Sequence, residues 1–151
     1  MSEQDIQDIW YDYAVAFVEK KNKSEQGWAA LSETEQEIAA LWLLEADVYN
    51  GGFIQFFCNW GEEAYVCVCR ALQTIGANEV LDNVKKQYAC FEHLENDPRL
   101  NALWDIPKYL DEEQVERLDE LDQLLWNNED EVSYKAYTYY HDQLGIQISA
   151  V

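Results

Sequence analysis

The stretch VYNGGFIQFFCNWG, residues 48–61, decides how this chain folds. Two adjacent glycines interrupt a pattern that is helical on both sides. Asn50 and Gly51 tolerate the left-handed backbone conformation that ends a helix, and Gly52 lets the chain enter a new helix at once. The stretch therefore predicts a corner between two helices.

The residues after the glycines predict a short buried helix. Three phenylalanines follow at i, i+3 and i+4 spacing, which places their rings on one helix face: Phe53, Phe56 and Phe57. Asn59 and Gly61 supply the next break. The corner lacks the glycine–lysine pattern of a phosphate-binding loop, and its surroundings are acidic. We interpret it as a turn in the chain, with no chemistry of its own.

Glu45 lies on the apolar face of the helix before the corner, beside Leu41 and Trp42. A carboxylate there needs hydrogen-bond donors, because burying an unpaired charge is costly. We expect free backbone N–H groups near residues 52–56 to bind it. The alternative is a catalytic carboxylate, because burial raises the pKa of an acid toward the range of a general acid. No histidine, lysine or second acid recurs nearby at a fixed spacing, which favours the structural role.

Helical periodicity continues along the rest of the chain, without the alternation of a strand. Ser32 and Glu35 form the pattern of a capping box that opens a helix to about residue 49. Other helices are predicted over about residues 4–21, 62–75, 78–94, from 111 and over 130–144. Both prolines fall in the connector 96–109. We predict a single compact multi-helix domain over residues 1–151, of the all-α class.

Two motifs in the chain resemble the bacterial DNA mimic protein 19 family. The first is a glutamate several residues before N-G-G-F-x-Q-[FY]-F-x-N, and it is matched by Glu45, Asn50, Gly51, Gly52, Phe53, Gln55, Phe57 and Asn59. The second is A-L-x-x-I-G-A one helix later, matched by Ala71, Leu72, Ile75, Gly76 and Ala77. Trp60 departs from the pattern, since the family usually carries a small hydroxyl residue there.

The resemblance implies a helical domain with a binding role. The named member of the family is described as a dimeric mimic of double-stranded DNA that engages a DNA-binding transcriptional regulator. We interpret the signature residues as fold residues. A mimic acts through surface acids, whose positions neither motif sets.

Charge is the strongest signal in the composition, since 30 acids stand against 10 bases for a net charge of −20. This balance repels nucleic acid and anionic membranes and favours basic protein partners. Residues 111–131 hold ten of the acids against one base, Arg117. These acids are Asp111, Glu112, Glu113, Glu116, Asp119, Glu120, Asp122, Glu129, Asp130 and Glu131.

The first twelve of these residues predict an acidic helix face. Five acids fall within a sector of about 120°: Glu112, Glu113, Glu116, Asp119 and Glu120. Three apolar residues lie roughly opposite, namely Val115, Leu118 and Leu121, and Asp111 and Asp122 fall toward the apolar side near the ends. The net charge of −6 extends over about 18 Å, or one charge per ~3 Å, close to the ~3.4 Å phosphate spacing of one DNA strand. A helix face selected for stability alone would carry lysines among its acids, because opposite charges at i, i+4 spacing stabilise a helix.

Three interpretations of this face stay open: a solvated surface, a protein-binding surface and a metal site. The EF-hand pattern is missing, and carboxylates on a straight helix diverge instead of converging on one ion. With the resemblance, the acids predict a DNA mimic that occupies the DNA-binding surface of a basic protein, such as a helix-turn-helix regulator. The alternative is an immunity-type or antitoxin-like inhibitor of a cationic toxin or nuclease. An enzyme that uses Glu45 is the third hypothesis.

The cysteines predict neither a disulfide framework nor a zinc site. Four are present without a C-x-x-C pair, at Cys58, Cys67, Cys69 and Cys90. We expect reduced, mostly buried thiols, no metal and no cofactor. The acidic N-terminus lacks the basic region of a signal peptide, and no stretch approaches the ~20 apolar residues of a membrane span, so we expect a cytoplasmic protein.

The last predicted helix is rich in tyrosine, at Tyr134, Tyr137, Tyr139 and Tyr140. Its spacing favours Tyr137 and Tyr140 as core residues with the other two partly exposed. The alternative is an aromatic anchor for a partner beside the acids.

Overall fold

The computed structural model of the protein describes residues 3–127 and 129–144, and the side chains of residues 8–48, 50–127, 132 and 134–140. These ranges contain five α-helices: α1 Glu3–Lys23, α2 Glu33–Ile75, α3 Asn78–Phe91, α4 Glu112–Asn127 and α5 Glu129–Leu144. Short 3-10 helices lie at Gly27–Ala30, Glu92–Leu94 and Leu103–Tyr109. The described part of the chain contains no strand, and the all-α prediction is confirmed.

Helix α2 is the centre of the fold, and three glycines with non-helical backbone, Gly51, Gly52 and Gly61, divide it into segments over residues 33–50, 53–60 and 62–75. Gly52 has φ +81° and Gly61 has φ +80°, a region that side chains other than glycine rarely adopt. Gly51 instead has φ −160°, which is extended backbone. The predicted corner is therefore present, but its left-handed residue is Gly52 and not Asn50 or Gly51. The packing of α4 against the corner decides which residue takes the positive φ, because Gly52 is the residue in direct contact with α4.

The predicted ends of α2 are confirmed by their caps. The Ser32 hydroxyl accepts a hydrogen bond from the Glu35 N–H at 3.2 Å, and the Glu35 carboxylate accepts one from the Ser32 N–H at 3.0 Å. This capping box satisfies N–H groups that a helix start leaves free. At the other end Gly76 adopts the left-handed conformation and closes the helix.

The phenylalanines after the corner form the centre of the core. Phe53, Phe56 and Phe57 are each 0% exposed, as predicted. Their rings contact three aromatic residues of other segments: Tyr65, Tyr88 and Phe91. Each buried phenylalanine contributes ~1.5–3 kcal/mol relative to an exposed one, so this face holds the corner in place. Helix α2 packs against α1, α3, α4 and α5, which surround it.

None of the helices in the described ranges is both long enough and apolar enough to cross a lipid bilayer.

Candidate functional site

Helix α4 carries the predicted acidic face, and its start is fixed by a reciprocal pair of hydrogen bonds. The Asp111 carboxylate accepts from the Gln114 N–H at 2.7 Å, and the Gln114 side chain accepts from the Asp111 N–H at 3.0 Å. This pairing resembles a capping box. Leu118, Leu121 and Leu125 are buried on the side of α4 that packs against α2 and α3. The acids are therefore held on a helix whose start and orientation are both fixed.

The structure places the five predicted acids of α4 in solvent: Glu112, Glu113, Glu116, Asp119 and Glu120 are all exposed. Asp111, just before the helix, is exposed as well. Arg117 lies 3.6 Å from the Glu120 carboxylate, an ion pair open to solvent. Val115 is 43% exposed, so the prediction that it lies on the buried side was wrong. Val115 lies in the first turn of α4, where the core residues that bury Leu118 and Leu121 do not cover it.

Asp122 was predicted to bind a partner, and the structure contradicts this assignment. Its side chain is 7% exposed, and its carboxylate accepts a hydrogen bond from the Phe53 N–H at 3.0 Å. The corner leaves this N–H without a partner inside its own helix, and Asp122 supplies the acceptor from a position 69 residues away. Asp122 therefore ties α4 to the corner of α2 and is unavailable to a partner.

Burial raises the pKa of the Asp122 carboxyl above its usual 3.8, although the Phe53 N–H and Gln87 partly offset this. The folded state thus holds this proton more tightly than the unfolded chain does. The resulting stabilisation is complete below pH 3.8 and is lost as the pH rises through the folded pKa.

We expect Asp122→Asn, which keeps an acceptor oxygen and cannot ionise, to abolish this pH dependence. As the pH rises from 3.8 to neutrality, the free energy of unfolding of the wild type should fall relative to that of the variant. Urea unfolding at a series of pH values measures the difference, with the exposed Glu112→Gln as control. A difference between Asp122→Asn and wild type that does not change with pH would contradict the assignment.

The remaining predicted partner-binding acids belong to the start of α5. The side chains of Glu129, Asp130 and Glu131 lie outside the described residues. That these three acids bind a partner stays a prediction. Further along α5, Tyr137 is 4% and Tyr140 is 1% exposed, whereas Tyr134 is 55% and Tyr139 is 39% exposed. The prediction that the first two fill the core is confirmed.

Glu45 is buried as predicted, at 6% exposure, but the expected donors were wrong. Its carboxylate accepts a hydrogen bond from the Tyr11 hydroxyl at 2.5 Å, whereas the Phe53 N–H is bound by Asp122. The donor comes from α1, and helix packing brings it to Glu45 from 34 residues away.

Two cavities border Glu45. The first is lined otherwise by Leu44, Val48, Val80, Leu125, Trp126 and Val132. The second is lined by Tyr11, Trp42 and Ala46. In this part of the described structure neither cavity wall includes a lysine, a histidine or a second acid, which general acid–base chemistry would use.

Comparison with families of known proteins identifies the architecture around this corner. The family described as DMP19-like protein matches residues 29–143. The chain belongs to the DMP19-like family. Neither the curated proteins nor the solved structures provided a match. The matched segment begins after α1, so Tyr11, the donor to Glu45, lies outside it.

Asp47 is a central residue of the DMP19-like corner that the sequence argument missed. Its carboxylate accepts hydrogen bonds from the side chains of Gln55 at 2.9 Å, Asn59 at 3.4 Å and Trp60 at 2.7 Å. It therefore joins the first segment of α2 to the second across the two glycines. The i, i+4 spacing of Gln55 and Asn59, away from the phenylalanine face, was the available signal.

Trp60, where this chain departs from the DMP19-like signature, is part of the same cluster. Besides its bond to Asp47, its ring lies 4.6 Å from the Lys21 ammonium of α1. A cation over an aromatic face is a favourable contact. The departure thus strengthens the link between the corner and α1.

All four cysteines are free, with Cys58 and Cys67 buried and Cys69 and Cys90 partly buried. Burial raises the pKa of each thiol, that of Cys58 to about 11. Thiolates are the form that binds metals, so this environment disfavours ligation. Among the residues that the structure describes, no three His, Cys, Asp or Glu side chains are grouped as a metal site would need.

The absence of a bound metal stays a prediction. Protein purified without added ions should contain no stoichiometric zinc, because the thiols are held in their protonated form. Elemental analysis of the purified protein measures this. Stoichiometric zinc that is lost in a Cys67→Ser variant would overturn it.

Proposed function

We propose that this protein is an acidic binding protein that mimics DNA and occupies the DNA-binding surface of a basic transcriptional regulator. The observation that carries the proposal is the acidic face of α4, defined as Glu112, Glu113, Glu116, Asp119 and Glu120, together with Asp111 just before the helix. All six side chains are exposed, and residues 111–120 contain one base, Arg117.

The charge density of the acidic face supports mimicry of DNA. Residues 111–120, which include this face, carry a net charge of −5 over about 14 Å, or one charge per ~3 Å. One strand of B-DNA carries a phosphate per ~3.4 Å of axis. Lysines and arginines arranged to bind phosphates would therefore meet carboxylates at nearly the same spacing. Membership of the DMP19-like family is consistent with this function.

Binding, and not catalysis, is the mode of action that we propose. Glu45 is the candidate catalytic acid of the sequence, and Tyr11 is the polar side chain that lines a cavity with it. The Tyr11 hydrogen bond stabilises a buried carboxylate, and the described walls of the two cavities add no lysine, histidine or second acid to it. We place the protein in the cytoplasm, where a DNA-binding regulator works, and the homodimer implied by the resemblance stays a prediction.

The test begins with capture of partners from a lysate of the native cell at low salt, followed by mass spectrometry. A captured regulator is then loaded with labelled operator duplex and titrated with this protein. We expect release of the duplex, weakening steeply with salt, because exposed charges are screened within ~10 Å at 0.1 M. The chain itself should not bind duplex DNA, since both are strongly negative.

Two outcomes would contradict mimicry: binding that is independent of salt, or a ternary complex that holds DNA and this protein at once. Capture of a cationic toxin or nuclease whose activity this protein blocks would replace mimicry with the inhibitor function.

A further inference from the structure

A groove runs between α3 and α4, beside the acidic face. Six side chains line it: Glu79, Asp82, Asn83 and Lys86 from α3, and Leu121 and Leu124 from α4. Its volume is about 220 Å³.

The two walls of the groove are held rigidly. The Asn83 side chain donates a hydrogen bond to the Leu121 carbonyl at 2.8 Å, and the Gln114 side chain donates one to the Cys90 carbonyl at 3.1 Å. Because the later residue of α3 pairs with the earlier residue of α4, the helices run antiparallel. Two bonds at separate turns fix their relative position, so the groove exists before any partner arrives.

The groove combines an apolar wall with acidic rims. Leu124 is 53% exposed and provides the accessible apolar surface of the groove. Glu120 lies one turn before it on the same face of α4, and the exposed Glu79 and Asp82 lie on the opposite rim. Lys86 on this rim is paired with Asp82 at 2.8 Å, so these two charges offset each other and Glu79 and Glu120 supply the excess negative charge of the rims.

We infer that this groove docks a basic amphipathic helix of the partner, an inference that rests on the proposed function. Such a helix would place an apolar side chain against Leu124 and its lysines or arginines against the acids of the two rims. A helix is the matching element, because the backbone groups of α3 and α4 are used within the helices and present no edge to an added strand. Charge complementarity selects a basic occupant.

A second copy of this chain does not fit the groove as well. Each copy carries a net charge of −20, and docking would bring acidic rims against acids. Like charges brought together at an interface oppose association. The groove therefore adds a concave surface to the acidic face, with Leu124 as its apolar contact.

The test uses a synthetic lysine–leucine amphipathic helix of about 18 residues, five turns long, and a scrambled peptide of the same composition. Methyl NMR of the full chain should show that the amphipathic peptide shifts the signals of Leu121 and Leu124. Leu124→Ala should weaken its binding about tenfold, or ~1.4 kcal/mol, since a half-exposed leucine loses most of its newly buried surface. Val115→Ala, an exposed aliphatic residue on the same helix but outside the groove, is the matched control and should leave binding within about twofold of wild type.

The inference fails if the scramble binds as well as the amphipathic peptide, if neither binds, or if Leu124→Ala matches wild type. In those cases the proposed function is still tested separately, by the displacement of operator DNA from the regulator. If this protein failed to displace operator DNA from the regulator but still bound the amphipathic peptide, mimicry would be overturned and the assignment of the groove would be retained.

Discussion

Gly52→Ala should destabilise the fold by ~3–5 kcal/mol, because it combines backbone strain with the disturbance of a buried hydrogen bond. Gly52 has φ +81° and ψ 178°, a region essentially restricted to glycine, where another residue costs ~1–3 kcal/mol. A Cβ atom at this position would also lie 2.1 Å from the Asp122 carboxylate. That carboxylate cannot retreat without releasing the Phe53 N–H, which would leave a buried donor unsatisfied.

Two control substitutions separate the causes of this loss. Gly61→Ala lies in the same backbone region, with φ +80° and ψ −169°, and its added Cβ would meet only the Leu103 Cδ1 at 3.4 Å, so it measures backbone strain almost alone. Gly51→Ala would crowd mainly the side-chain amide of Gln55, at 2.2 Å from its Oε1, and should cost ~1 kcal/mol through the hydrogen bond between Gln55 and Asp47. Urea unfolding followed by circular dichroism gives all three values. If Gly52→Ala cost no more than Gly61→Ala, the contact with Asp122 would not constrain the corner.

Reversal of two acids, Glu116→Lys with Glu120→Lys, should slow association with the captured regulator about tenfold or more at low salt. Charges on the rim of an interface act chiefly on the rate of encounter, so the dissociation rate should change less. The loss should shrink as salt is added. Folding should change little, because the ion pair that Glu120 loses with Arg117 is exposed and the other effects offset one another. A lysine at position 116 gains Glu112 and Glu113 as neighbours one turn earlier, whereas the lysines at positions 116 and 120 repel each other.

The matched control places the same change of charge on another part of the molecule. Glu19 and Glu25 are exposed residues at the end of α1 and in the turn that follows it. Glu19→Lys with Glu25→Lys gives the same net charge as the reversal on α4. Stopped-flow association rates of the two double variants are compared over a range of salt. Equal slowing by both would show that total charge, and not the acidic face, steers the partner.

Local physical rules in the sequence determined most of the helices and their caps. The capping box at Ser32 and the stop at Gly76 depend on residues within one turn of each other. The burial of Phe57 and Tyr140, and the exposure of Glu116, follow from helical periodicity. Each of these features was predictable because neighbouring residues are enough to produce it.

Tertiary structure alone decided which acids are exposed to solvent and which accept hydrogen bonds from other parts of the chain. Asp122 satisfies a backbone N–H that lies 69 residues away, Glu45 takes its donor from α1, and Asp47 spans the corner. A charge pattern cannot separate these acids from those of the acidic face, because the difference lies in which donors the packed helices bring within hydrogen-bonding distance. The groove between α3 and α4 has the same origin, since Leu124 acquires its surroundings only when the two helices pack.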